Sequence, residues 1–134
     1  EPTRGQGTVV YRRTVSDAVT RSALQSLADH LGKTVVVHSG DRNSVVRGSN
    51  PGSLHIRRRA ADFHVTGMSD SAVFDFMMSN HSAVFGRGSF EVIIHRPGTN
   101  TGGPHLHLGN FGDSRGTHYK SERAGRYTRV ATRR

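Results

Sequence analysis

Residues 104–109 read PHLHLG. Histidine and leucine alternate there with a period of two, and only an extended strand turns that alternation into two chemically distinct faces. Leu106 and Leu108 then pack inward, while His105 and His107 stand together on the opposite side. A fold for this chain must bury one face of this strand and gather two imidazoles on its back. Two readings follow: a pair of solvated histidines, or part of a metal site in which one imidazole ligates and its neighbour hydrogen-bonds to what the metal activates.

Other segments supply a core for such a strand. Residues 16–31 carry the best helical pattern, with Val19, Ala23, Leu27 and Leu31 on one stripe widened by Leu24 and Ala28, Ser16 as a cap and Gly32 as a stop. Residues 34–38 (TVVVH) read as a buried strand, and residues 7–13 as a short edge strand. Ala60–Val65 is a candidate strand and residues 69–80 a second helix, with Val73, Phe74, Met77 and Met78 facing the core. Phe90–His95 is a further strand. Residues 1–7 read as a flexible lead-in, and residues 110–134 as basic loops or a tail. Helices and strands do not alternate as in a doubly wound fold. The expected class is α+β, with a small, mostly antiparallel sheet flanked by helices, in one domain spanning residues 1–134. The chain begins at Glu1, as a processed mature form or a domain cut from a longer protein would.

The composition limits the chemistry. There is no cysteine among the 134 residues, so a thiolate zinc finger and a disulfide framework are both excluded. A metal would have to be held by histidine or carboxylate, and nine histidines are present. The net charge of +9, from 19 Lys+Arg against 10 Asp+Glu, calls for an anionic partner without saying which. No apolar run approaches the roughly 20 residues of a membrane span.

A second cluster of candidates is SLHIRRRAADFH, which places His55 and Asp62 seven residues apart beside three arginines. Asp62 either pairs with one of Arg57, Arg58 and Arg59, or joins His55 in a mixed oxygen-and-nitrogen metal set. Upstream lies the turn SGDR, which contains Arg42. Glu91 alternates with His95 on one face of the strand Phe90–His95. It is either a surface carboxylate paired with an arginine or a carboxylate that reaches the metal site. His64 shares Asp62's face, His38 reads as a structural histidine, and His81 and His118 read as surface residues.

Taken together, these motifs resemble the zinc D-alanyl-D-alanine carboxypeptidases and related peptidoglycan peptidases, in the superfamily shared with lysostaphin-type endopeptidases and the hedgehog signalling domain. The family motif S-x-H-x-x-G-x-A-x-D is matched by Ser53, His55, Ala60 and Asp62, with Arg58 where glycine is usual. The later histidine pair is matched by His105 and His107, and the upstream SGxR turn by Ser39, Gly40 and Arg42. The resemblance covers roughly residues 16–109, and the six-residue gap between His55 and Asp62 points to the carboxypeptidase branch.

The resemblance implies a zinc site on the sheet, with Zn²⁺ held by His55, Asp62 and His107. It implies His105 as a catalytic hydrogen-bonding or proton-exchanging group, Arg42 as a catalytic group that binds a substrate carboxylate or steadies the oxyanion, and Ser53 at the substrate. Many relatives carry an Asp or Glu three residues before the final ligand as general base. Pro104 stands there, so Glu91 is the replacement candidate, with His105 as the alternative.

The implied function is hydrolysis of peptidoglycan stem peptides or cross-links, as a DD-carboxypeptidase or endopeptidase. The setting would be lysis or remodelling by a phage lysin, a secreted antibacterial effector or a housekeeping enzyme. That function implies a secreted, periplasmic or cell-wall location, peptidoglycan as partner, a monomer, and an immunity protein if the chain is a toxin. Two other classes fit parts of the sequence. One is a nucleic-acid-binding module resting on residues 57–59 and the basic tail, which has no recognisable reading motif. The other is a zinc-holding domain that binds without catalysis, as in the hedgehog relative.

Overall fold

The computed structural model describes residues 7–41, 58–99 and 103–133. The elements run β1 (Thr8–Tyr11), α1 (Ala18–Leu31), β2 (Thr34–Ser39), β3 (Ala60–Val65), α2 (Asp70–Ser79), α3 (His81–Phe85), β4 (Phe90–His95), β5 (His105–Asn110), β6 (Thr117–Arg123) and β7 (Arg126–Arg133). The strands form one sheet in the order β1-β2-β3-β5-β4-β6-β7.

This corrects the expectation of a small, mostly antiparallel sheet. The sheet has seven strands and is mixed, because β1 runs parallel to β2 and β4 runs parallel to β6. The first parallel pair arises because α1 carries the chain back along the sheet before β2 begins. The second arises because β5 turns back between β3 and β4, which leaves the far edge of β4 open to β6.

After a loop at 111–116, the residues expected as basic loops or a tail are instead strands. They form β6 and β7, an antiparallel hairpin with Thr117 and Tyr119 buried and β7 largely exposed. Its two-residue turn, Ala124 and Gly125, has positive φ at both positions (53° and 82°), as a tight hairpin turn demands.

The pleat sorts the residues. Val35 and Val37 of β2, Ala61, Phe63 and Val65 of β3, Leu106 and Leu108 of β5, Val92 and Ile94 of β4, and Tyr119 of β6 all join the core. Leu24, Leu27 and Ala28 of α1 and Val73, Phe74 and Met77 of α2 pack against them. The expected stripe of α1 holds at Ala23, Leu24, Leu27 and Ala28, which are buried, and fails at its start, where Val19 is 49% exposed and Thr20 is buried instead. Asp17, rather than Ser16, caps this helix, accepting from the Thr20 amide at 2.9 Å. Its Oδ2 also accepts from Asn110 Nδ2 at 3.0 Å, which ties the start of α1 to the end of β5. Ser16 instead hydrogen-bonds the Asp41 side chain.

Two histidine expectations are also corrected. His81 is buried, and its Nδ1–H donates to the Tyr119 hydroxyl at 2.8 Å, which in turn donates to the Met77 carbonyl. The short helix α3 turns His81 inward. His38, in contrast, is exposed, with its ring edge against His64 at 4.7 Å.

Candidate metal centre

The alternate residues of the same strands form the sheet's other face. Register pairs Asp62 with His107, His105 with His95, and His95 with Glu122. Together with His38, His64 and His118, six of the eight histidines among the described residues lie on this face. A sheet needs no imidazoles for packing, so their concentration opposite the core marks this face as the chemical one.

His107 is at its centre. Its Nδ1 lies 3.2 Å from Asp62 Oδ1, and its Nε2 lies 3.1 Å from Glu91 Oε1. His107 is 6% exposed. Burial alone would push its pKa down, but the hydrogen bonds and charges of Asp62 and Glu91 outweigh burial and raise it to about 9. Glu91 is held to about 2 despite its burial, by His107 and by the Lys120 ammonium 3.2 Å from its second oxygen. Of the two readings of Glu91, the structure places it beside His107, and its cationic partner is a lysine.

His105 stands alongside. Its Nδ1–H donates to the Gly103 carbonyl at 2.8 Å, and its Nε2 lies 3.5 Å from Asp62 Oδ2. His64 Nε2–H donates to the Pro104 carbonyl at 2.9 Å and fixes the entry to β5. Arg59 turns away from Asp62 and donates to the Phe111 carbonyl.

Arg58, at the position where glycine is usual, has φ of +60°. The turn into β3 therefore needs the left-handed conformation that glycine adopts without cost, and this chain meets it with an arginine under strain. Ser39 and Gly40 of the SGDR turn are described. A Cβ on Gly40 would collide with the Thr14 carbonyl, and the Asp41 amide donates to that same carbonyl at 2.8 Å. Arg42, Ser53 and His55 lie outside the described residues.

The donors fit zinc in kind and spacing. One imidazole nitrogen and one carboxylate oxygen, 3.2 Å apart, match the ~3.3 Å edge of a tetrahedron drawn at zinc bond lengths. The imidazole is backed at its other nitrogen by a carboxylate, as metal-binding histidines commonly are. Among the described residues, no three such side chains close around one point. To hold an ion, the pair Asp62 and His107 would need a further donor.

His95 and Glu122 were not singled out as site residues by sequence. His95 Nδ1 lies 2.5 Å from Glu122 Oε1, and the His95 ring stacks on His105 with centroids 4.4 Å apart. The alternation of Glu91 with His95 was a usable signal for the histidine. Glu122 reaches it through a non-local parallel pairing that no local pattern announces.

A sheet face that presents adjacent histidine and carboxylate donors beside a second imidazole defines a candidate metallohydrolase. Residues 3–96 match the family described as Peptidase M15, and the chain belongs to that family. Its members are zinc-dependent metallopeptidases. The match ends at the close of β4, so Asp62, Glu91 and His95 fall within it and His105, His107 and Glu122 beyond it. No curated protein and no solved structure matches the chain.

Proposed function

We propose that the chain is a zinc peptidase that hydrolyses peptide bonds in peptidoglycan stem peptides or cross-links. The observation that carries this reading is the approach of Asp62 and His107 on the sheet's polar face, with His105 Nε2 beside them. Asp62 and His107 would hold the ion, with His55 as the further donor. Bound there, zinc would supply a Lewis acid and a water acidified toward pKa ~7.

The chain's own groups divide the remaining work. His105, with Nδ1–H engaged by the Gly103 carbonyl, has Nε2 available to take a proton and return it to the leaving amine. Both oxygens of Glu91 are engaged, by His107 and by Lys120, so its role is to support His107, and the proton-accepting role falls to His105. Arg42 and Ser53 would bind the substrate, the guanidinium matching a terminal carboxylate. The net charge of +9 would favour an anionic cell wall. A secreted, periplasmic or wall-associated site of action follows from such a substrate, and a toxin's role would imply an immunity protein. Among the described residues, no helix is long and apolar enough to cross a membrane.

The test is a digest of purified peptidoglycan with chelator and then zinc, read by mass spectrometry of the fragments. Cleavage lost with chelator and restored by zinc supports the reading, and the fragment masses name the bond. A zinc-loaded chain that cleaves nothing would favour the second reading, a binding-only domain. Pro104, at the position where many relatives carry a catalytic carboxylate, is the feature that favours that alternative.

A further inference from the structure

Glu122 is a carboxylate with 1% exposure, and nothing assigned so far accounts for it. Burying a charge is costly unless hydrogen bonds compensate. Three do so here. His95 Nδ1–H and Thr99 Oγ1–H both donate to Oε1 at 2.5 Å, and the Gly125 amide donates to Oε2 at 2.7 Å. The Thr99 hydroxyl and the Gly125 amide are donors, so both oxygens of Glu122 act as acceptors, and the hydrogen shared with His95 belongs to the imidazole: it sits on Nδ1, with Nε2 as the ring's other nitrogen.

The consequence reaches the site through packing. The His95 ring lies nearly parallel to that of His105, at 25° with centroids 4.4 Å apart, and edge-on to His107 at 6.4 Å. Tyr127 of β7 meets the far side of His95 at 6.3 Å. A ring held at one nitrogen and flanked by Tyr127 cannot turn freely, so His105 stacks on a fixed surface.

We propose that Glu122 is a positioning residue of the site: it locks His95 in the Nδ1–H tautomer and in one plane, and the locked ring holds His105 with Nε2 toward Asp62. This rests on the zinc-peptidase reading for its functional meaning, but not for its test.

The test is side-chain ¹⁵N–¹H NMR of the full zinc-loaded chain and its variants, alongside steady-state hydrolysis. In the native chain, His95 and His105 should both show protonated Nδ1 and unprotonated Nε2. Glu122→Ala should move His95 to the Nε2–H tautomer and broaden or shift the His105 ring nitrogens. It should lower kcat about ten-fold with KM changed less than two-fold. Glu122→Gln, which still offers His95 an oxygen, should restore most of both.

Because Glu122 also braces the hairpin turn, His95→Phe serves as the control. Adding Glu122→Ala to that background should cost little further kcat, whereas independent costs that multiply would make Glu122 a turn brace only. An Nε2–H tautomer in the native chain, or a His95 tautomer unmoved by Glu122→Ala, overturns the lock. A native chain that hydrolyses no peptidoglycan would remove the peptidase reading, and the NMR result would still decide the lock.

Discussion

The same strands present two faces built to opposite rules. On one side Phe63, Leu106, Leu108, Val92 and Ile94 are buried among apolar neighbours, each 2% exposed or less. On the other, one residue along, Asp62, His105, His107, Glu91 and His95 are held by directed polar contacts. The first face depends on volume and tolerates exchange among hydrophobes of similar size. The second depends on which atom faces which, and a change that preserves volume can still abolish its chemistry. The comparison teaches that stability and activity occupy interleaved positions here, so mutations on adjacent residues should fail in different ways.

The largest effect expected is that of His107→Ala. It should remove zinc binding and reduce hydrolysis to background while far-UV circular dichroism stays unchanged. A variant that retains stoichiometric zinc would break the ligand assignment. Next, Phe63→Ala, beside Asp62 in sequence but on the core face, should cost about 3–5 kcal/mol in denaturant unfolding. Zinc affinity of the fraction still folded should be unaltered; a specific loss of affinity would blur the division between faces.

Glu91→Gln separates the two roles considered for that residue. As a support for His107, its loss should weaken zinc binding about 10–100-fold in chelator competition. If zinc affinity is unchanged and turnover vanishes, Glu91 is the base and His105 is not.

A smaller effect is the pH profile of the metal-free chain. His107 is held at about 9, above its ordinary 6.5, so the stability from its carboxylate partners is whole below about pH 6.5 and is lost as pH rises through about 9. Glu91 is held at about 2, below its ordinary 4.5, so its contribution is present above about pH 4.5 and is lost as pH falls toward about 2. Thermal melts of chelator-treated protein should peak between those limits, and a flat profile from pH 6.5 to 9 would contradict the His107 pairing. The smallest effect is that of Arg58→Gly, which should raise stability by about 0.5–1 kcal/mol by relieving the positive φ at that turn.

How much of this was legible in the sequence depended on range. β3 and β4 have the expected boundaries, because apolar alternation and β-branching act locally. The PHLHLG alternation placed His105 and His107 on one face, and the alternation of Glu91 with His95 placed that carboxylate within reach of them. What stayed hidden was long-range. In β6, the outward residues belong to the polar face, and only Thr117 and Tyr119 mark its buried side before the central residue of the hairpin network, Glu122. So short an inward pattern, in a segment otherwise polar and charged, reads as loop. The parallel pairings, which make the sheet mixed, leave no local trace at all. The glycine position occupied by Arg58 was visible as a departure, but its cause, a left-handed backbone, is a property of the turn and not of the residue type.

The strand order has a mechanical consequence. β3 and β4 follow one another among the strands but never pair, because β5 stands between them. Within the sheet, β1-β2-β3 and β4-β6-β7 are therefore two ribbons joined along a single seam, and the seam is the strand that bears His105 and His107. An ion shared by Asp62 on one ribbon's edge and His107 on the seam would act as a rivet there. Pulling the ribbons apart, by force or by heat, would then open the sheet between β5 and β4, and β3 would stay with the seam.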